Sequence, residues 1–179
     1  MRIAILTVST AGAKGARKDT SGDAIAAWAR EHKYEIAARE LVSDDVNAIV
    51  RQLLDWCDGE RADLVLTTGG TGLSPTDVTP EATQVVIERD APGIAEWLRV
   101  NSVNNFPKAA LARGRSGVRH KTLIVNLPGS PGGVKDSLAA LDPIVDHAVA
   151  VLRGEVTEHS SKPSAKSRLS GGISTKPGS

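Results

Sequence analysis

Leu64-Val65-Leu66-Thr67-Thr68-Gly69-Gly70-Thr71-Gly72 runs from an aliphatic block straight into a glycine-rich turn, and Thr79-Pro80-Glu81 follows a few residues later. The block reads as a buried strand over 64–67. Thr79 reads as an N-cap, Pro80 as a first helical residue and Glu81 as an early acid, opening a helix to about Arg89. A strand, a glycine loop and a helix in this order form half of a βαβ unit. The same grammar returns downstream. Leu123 to Asn126 is an aliphatic strand, Pro128-Gly129-Ser130-Pro131-Gly132-Gly133 is its loop, and a long helix follows. Two such units predict an α/β domain with a mostly parallel sheet.

Outward from these units the alternation continues. Ile3 to Val8 reads as a strand, Ser21 to Glu31 as a helix, and Glu35 to Val42 as a weaker strand. Ser43 is placed to cap a helix whose apolar face recurs at Val46, Ile49, Val50, Leu53, Leu54 and Cys57, with Gly59 ending it. Pro92-Gly93 restarts the chain into a helix through Asn101. Residues 107–120 read ambiguously, with an edge strand and a turn around Gly114 to Gly117. Pro143 is expected to divide the last helix, with Asp142 capping the second half.

Composition agrees with that architecture. Hydrophobic residues are 40% and aromatic residues only 3%, so the core must be built from Val, Ile, Leu and Ala, which suits strands buried on both faces. The net charge is +1; residues 155–179 hold +2 of it, leaving −1 for residues 1–154. No basic field points to nucleic acid, and no apolar run is long enough to cross a membrane. Cys57 is the sole cysteine, which excludes an internal disulfide and a cysteine-based zinc site. A cytoplasmic domain over residues 1–154 is expected, with a Ser/Lys/Gly/Pro-rich disordered tail over 155–179.

The chemistry concentrates at the two glycine loops. In parallel sheets ligands lie beyond the carboxyl ends of the strands, and glycines let backbone amides approach phosphate oxygens beside a helix N-terminus. Pro75 stands where a dinucleotide fingerprint needs its third glycine. Asp136 follows Lys135 where a P-loop needs Ser or Thr. Neither of those classes fits. Asp77 follows the first loop, and Asp44 lies just past the second strand. Carboxylates beside a polyphosphate are a usual means of holding Mg²⁺. Spacing alone reads Asp44 and Asp45 as complements to a helix dipole and leaves Asp77 open. Arg113, Arg115, Arg119, His120 and Lys121 form a cationic group that suits either an anion clamp or a charged strand edge.

Thr67-Thr68-Gly69-Gly70-Thr71-Gly72, Asp77-Val78-Thr79-Pro80-Glu81-Ala82-Thr83 and Asn126-Leu127-Pro128-Gly129-Ser130-Pro131 together resemble the motifs of molybdopterin adenylyltransferases of the MogA type, including the G domains of gephyrin and its plant counterpart. The likeness covers roughly residues 2–153. It implies a three-layer α/β/α sandwich, often a homotrimer. It further implies Mg²⁺-dependent transfer of AMP from ATP to the terminal phosphate of molybdopterin, releasing pyrophosphate, with a later partner that inserts molybdenum. By the resemblance Asp44 and Asp77 are the catalytic, metal-binding acids. The same resemblance implies that Ser9, Thr68, Gly69, Gly70, Thr71, Gly72, Thr79, Glu81, Asn126, Pro128, Gly129 and Ser130 bind nucleotide and pterin.

Asp19 with Ser21-Gly22 fits the first-loop pattern. The chain departs from it at Ser9-Thr10-Ala11, where the family often has Ser-Asp-Arg, and at Ala112, where a serine commonly precedes the arginine. Those departures keep an alternative open, a non-catalytic molybdopterin-binding or scaffold relative of the MoaB kind. A nucleotide amidohydrolase sharing the domain is disfavoured, since such relatives usually carry a further domain.

Overall fold

The computed structural model describes residues 1–156, so nearly all of the expected tail lies outside the described residues. Six strands form one sheet: β1 (Arg2–Val8), β2 (Glu35–Val42), β3 (Leu64–Thr68), β4 (Arg89–Asp90), β5 (Ser116–Arg119) and β6 (Thr122–Leu127). Six helices accompany them: α1 (Thr10–Ala13), α2 (Thr20–Glu31), α3 (Val46–Asp58), α4 (Thr79–Val86), α5 (Pro92–Val103) and α6 (Pro131–Leu152), plus a 3₁₀ turn over Pro107–Leu111. The strand order is β2-β1-β3-β6-β5-β4. β2, β1, β3 and β6 are mutually parallel, while β5 pairs antiparallel with both β6 and β4.

The aliphatic strands are explained by burial on both faces. Ile3, Ile5, Leu64, Leu66, Leu123 and Val125 pack with α2, α5 and α6 on one side. The alternate residues Ala4, Leu6, Val8, Val65 and Ile124 pack with α3 and α4 on the other. Period-two alternation therefore divides one set of residues between two cores, and the result is the expected three-layer sandwich. Burying each Leu or Ile contributes about 1.5–3 kcal/mol, so these two layers dominate the stability.

The strand order reverses at β1, with β2 on one side and β3 on the other. That switch point leaves a crevice where the carboxyl ends of β1 and β3 part. Because β6 is parallel too, its loop opens on the same edge.

Several local expectations are corrected. The cap of α3 is Asp45, whose side chain accepts from the Ala48 N–H at 2.8 Å; Ser43 stands two residues too early. Thr79 is the first residue of α4, Val78 is its cap position, and the helix ends at Val86 because the chain must turn into β4. β5 lies inside the sheet and two-residue β4 covers it, so the stretch 107–120 holds no edge strand.

Pro143 does not divide α6, which runs unbroken from Pro131 to Leu152. The carbonyl it deprives of a partner belongs to Ala139, and both residues are exposed, so water can satisfy that oxygen. Asp142 is not a cap; it accepts a hydrogen bond from the Trp28 indole.

Candidate functional site

The carboxyl ends of β3 and β6 carry the two glycine loops into backbone contact. Gly69 and Gly70 adopt φ of +95° and +62°, the left-handed region that favours glycine. A Cβ on Gly69 would lie 2.2 Å from the Val8 carbonyl oxygen, and one on Gly129 would lie 3.2 Å from the Gly69 Cα. Side-chain hydroxyls hold the loop carbonyls on the protein side. Thr68 Oγ1 donates to Pro128 O at 2.6 Å, Thr79 Oγ1 to Gly69 O at 2.8 Å, and Ser21 Oγ to Gly129 O at 2.8 Å. Among the described residues, the N–H groups of Gly70, Thr71 and Ser130 meet no protein acceptor. They suit an anion.

Both acids flank the first loop. Asp44 Oδ2 accepts from the Thr10 N–H and from Thr10 Oγ1, each at 2.7 Å, while the Asp44 N–H donates back to Thr10 Oγ1 at 3.1 Å. Its Oδ1 receives no hydrogen bond from the described residues and would lie 3.3 Å from a Cβ on Gly70. Asp77 Oδ2 accepts from the Ser74 N–H at 2.9 Å and occupies the space beside Gly72, 2.9 Å from where a Cβ would stand. Its Oδ1 is likewise unclaimed by the described residues. The two acids thus lie against glycines two positions apart.

Two cavities meet at this loop. The larger, about 660 Å³, has Asp77 and Gly72 at one end and an apolar wall of Leu98, Phe106, Ala109 and Leu111 at the other. The smaller, about 420 Å³, is lined by Ser9, Asp44, Thr68 and Gly69, with Arg17 and Lys18 at its rim. Gly70, Gly129 and Ser130 line both. Asp44 and Asp77 therefore open on one edge of the sheet, but into adjoining chambers.

Other expected site residues take supporting places. Thr79 is fully buried and reaches the edge through its hydroxyl bond to Gly69 O and its N–H bond to Gly70 O. Asn126, 4% exposed, accepts from the Arg115 N–H at 3.0 Å and donates to Thr67 and Thr83, each at 2.9 Å, and lines the larger cavity. Glu81 is paired with Arg113, whose guanidinium holds its carboxyl below the ordinary carboxylate range. Ser9 Oγ accepts from the Gly12 N–H and caps α1.

Within the cationic group, Arg119 and His120 lie against Asp58 and Glu88, tying the β5–β6 turn to the end of α3 and away from both loops. Arg113 alone reaches the glycine loop. Sequence reading missed the contributions of Thr10, Arg17 and Lys18. The departure from the family pattern at Thr10 was the one available signal. Cys57 is fully buried in the α3 core, and burial pushes its thiol up to about 12, so it is no nucleophile.

The chain is similar to known proteins over most of its length. Residues 4–147 match a family model for a probable molybdopterin binding domain. A molybdopterin adenylyltransferase of Helicobacter pylori is 36% identical over 164 residues, covering 90% of this chain and 93% of the relative. One from Escherichia coli is 36% identical over 141 residues, covering 77% and 72%. Among solved structures, the molybdopterin biosynthesis enzyme MoaB of Thermus thermophilus is 48% identical with a TM-score of 0.81, covering 86% of this chain and 96% of that one. The molybdopterin biosynthesis Mog protein of Mycobacterium ulcerans is 40% identical with a TM-score of 0.80, covering 84% and 97%.

Proposed function

This chain belongs to the molybdopterin-binding domain family that includes the molybdopterin adenylyltransferases, and from that premise we propose that it transfers AMP from Mg²⁺-ATP to the terminal phosphate of molybdopterin. The new bond joins a phosphate oxygen of molybdopterin to the α-phosphorus of ATP. The bond from the α-phosphorus to the bridging oxygen breaks, and pyrophosphate leaves with the charge.

The observation that carries this reading is the pair of cavities meeting at Gly70, Gly129 and Ser130. Two phosphorylated ring compounds must bring their phosphates together for such a transfer. Two chambers sharing one amide-lined wall match that demand. The attacking phosphate is already ionised near neutral pH, so no strong general base is needed; alignment and charge neutralisation supply most of the rate. The unclaimed amides of Gly70, Thr71 and Ser130 are placed to bind phosphate oxygens. Arg17 and Lys18 add positive charge to the smaller chamber.

Asp44 and Asp77 fit Mg²⁺, because each keeps one carboxylate oxygen free of protein hydrogen bonds. Mg²⁺ usually takes one or two carboxylates and completes its shell with phosphate oxygens and water, so the two acids could hold it without a third ligating side chain. When bound, the ion would neutralise charge on the phosphates. A cytoplasmic homotrimer, passing its product to a partner that inserts molybdenum, completes the reading.

The test is direct. Incubation with ATP, Mg²⁺ and molybdopterin is expected to yield pyrophosphate and adenylylated pterin, and Asp77→Asn is expected to lose both while keeping the wild-type circular dichroism spectrum. Folded wild-type protein that binds molybdopterin and forms neither product would instead support the non-catalytic relative.

A further inference from the structure

Arg113 carries five N–H donors on three guanidinium nitrogens, and all three nitrogens bond, among the described residues, to a single segment more than thirty residues earlier in the chain. Nε donates to Gly72 O at 2.7 Å, Nη2 to Asp77 O at 2.6 Å, and Nη1 to the Glu81 carboxylate. The Arg113 N–H adds a bond to Thr71 O at 2.9 Å. Between Gly69 and Val78 that segment has no helix or strand of its own. Its other anchors are Thr79 on Gly69 and Gly70, and local bonds between Ser74 and Asp77. Among the described residues, Arg113 is therefore the one from elsewhere in the chain that hydrogen-bonds the Gly72–Asp77 half.

Arg113 is itself held from behind. Arg99 on α5 donates to Ala112 O at 3.0 Å and to Gly114 O at 3.4 Å, fixing the backbone on both sides of it. The Arg113 side chain does not line either ligand cavity; it lines a separate cavity of about 220 Å³ behind the loop, with Arg99 and Arg115. Its charge is already paired with Glu81, and its bonds among the described residues go to the loop segment.

We propose that Arg113 is a positioning residue for adenylyl transfer, a three-point fork that fixes the Gly72 and Asp77 carbonyls and so aims the Asp77 carboxylate and the loop amides at the shared wall of the two cavities. This rests on the reading that Asp77 faces the reacting phosphates. A lysine keeps the charge but offers one point donor, and it cannot span two carbonyls and a carboxylate in fixed directions. Misplacing a reacting group by about 1 Å can cost on the order of a hundredfold in rate, so the effect should be visible in kinetics.

The test compares wild type with Arg113→Met, Arg113→Lys, Arg119→Met and Asp77→Asn. Three quantities are read: kcat and KM for ATP, calorimetric affinity for Mg²⁺-complexed α,β-methylene ATP, and melting temperature. Arg113→Met is expected to lose on the order of tenfold or more in kcat and to bind the analogue more weakly, with Arg113→Lys between it and wild type. Arg119→Met removes an arginine that lies against Asp58, away from both loops, and is expected to stay within about threefold.

A residue that merely holds the fold would lower the melting temperature and leave kcat and analogue affinity of the folded protein at wild-type values; that outcome overturns the proposal. If Arg113→Met fails to fold, wild-type kinetics and affinity in Arg113→Lys overturn it equally. Full activity in Asp77→Asn would instead sink the reading of the site, whatever Arg113 variants do.

Discussion

Single residues decide whether the two loops can meet. Gly69 carries a φ of +95° and presses within 2.2 Å, at the position of its absent Cβ, of a backbone oxygen that cannot swing aside. An alanine there would suffer the left-handed penalty of roughly 1–2 kcal/mol, and the backbone clash would add to it. Gly69→Ala is expected to lower the melting temperature by at least about 3–6 °C and to abolish binding of the ATP analogue, as read by differential scanning fluorimetry and calorimetry. Gly93→Ala is the control, because nothing lies within 4 Å of its Cβ position. The left-handed turn was readable from Thr68-Gly69-Gly70 as a pattern. The near-contact with Val8 was not, since sixty residues separate the two partners. Thr10 shows the same limit, because only folding brings its hydroxyl to Asp44.

At the level of elements, the long strands and helices were legible, while short α1 and β4, the place of β5 and several helix ends were not. Periodicity places Val46 to Cys57 on one helical face, and burial of Ile49, Leu53, Trp56 and Cys57 explains it. The cap depends on a single dihedral geometry that Ser43, Asp44 and Asp45 could each offer in sequence. Asp45 takes it because Asp44 is drawn to Thr10. Asp45→Ala is therefore expected to cost about 1 kcal/mol in urea denaturation, and Ser43→Ala nearly nothing. Equal losses in the two variants would contradict this assignment. α6 illustrates the opposite failure. A proline rule predicts a break at Pro143, but packing of Leu138, Leu141, Val145 and Val149 against the sheet keeps the helix continuous.

For the whole molecule, ion pairs tie distant segments together and make stability depend on pH. Arg2 Nη2 lies 2.8 Å from buried Asp63 Oδ1, and the Arg2 N–H donates to Asp63 Oδ2 at 2.7 Å. Despite the opposing cost of burial, these contacts hold the Asp63 carboxyl below its ordinary value. Arg113 does the same to Glu81, and Arg119 to Asp58. A depressed carboxyl stabilises the fold above its unfolded pKa of about 4 and loses that contribution as pH falls through its folded value. Stability is thus expected to be flat near neutrality and to fall below about pH 4. Asp63→Asn should be less stable at pH 7 and show a shallower decline between pH 5 and 3 in urea titrations. An unchanged slope would remove Asp63 from the account. Exposed Glu81 and Asp58 contribute less, because solvent screens them.

Alternating strand and helix signals, aliphatic strands and two glycine loops were enough to determine the class of fold and to point to the sheet edge that carries both loops. Those properties arise from periodicity and backbone freedom, and both are local along the chain. The meeting of the loops, the separate chambers for Asp44 and Asp77, the burial of Thr79 and Asn126, and the grip of Arg113 were decided only by tertiary structure. They depend on which side chains the sheet order brings together across thirty to sixty residues, and no local spacing encodes a distance of that kind.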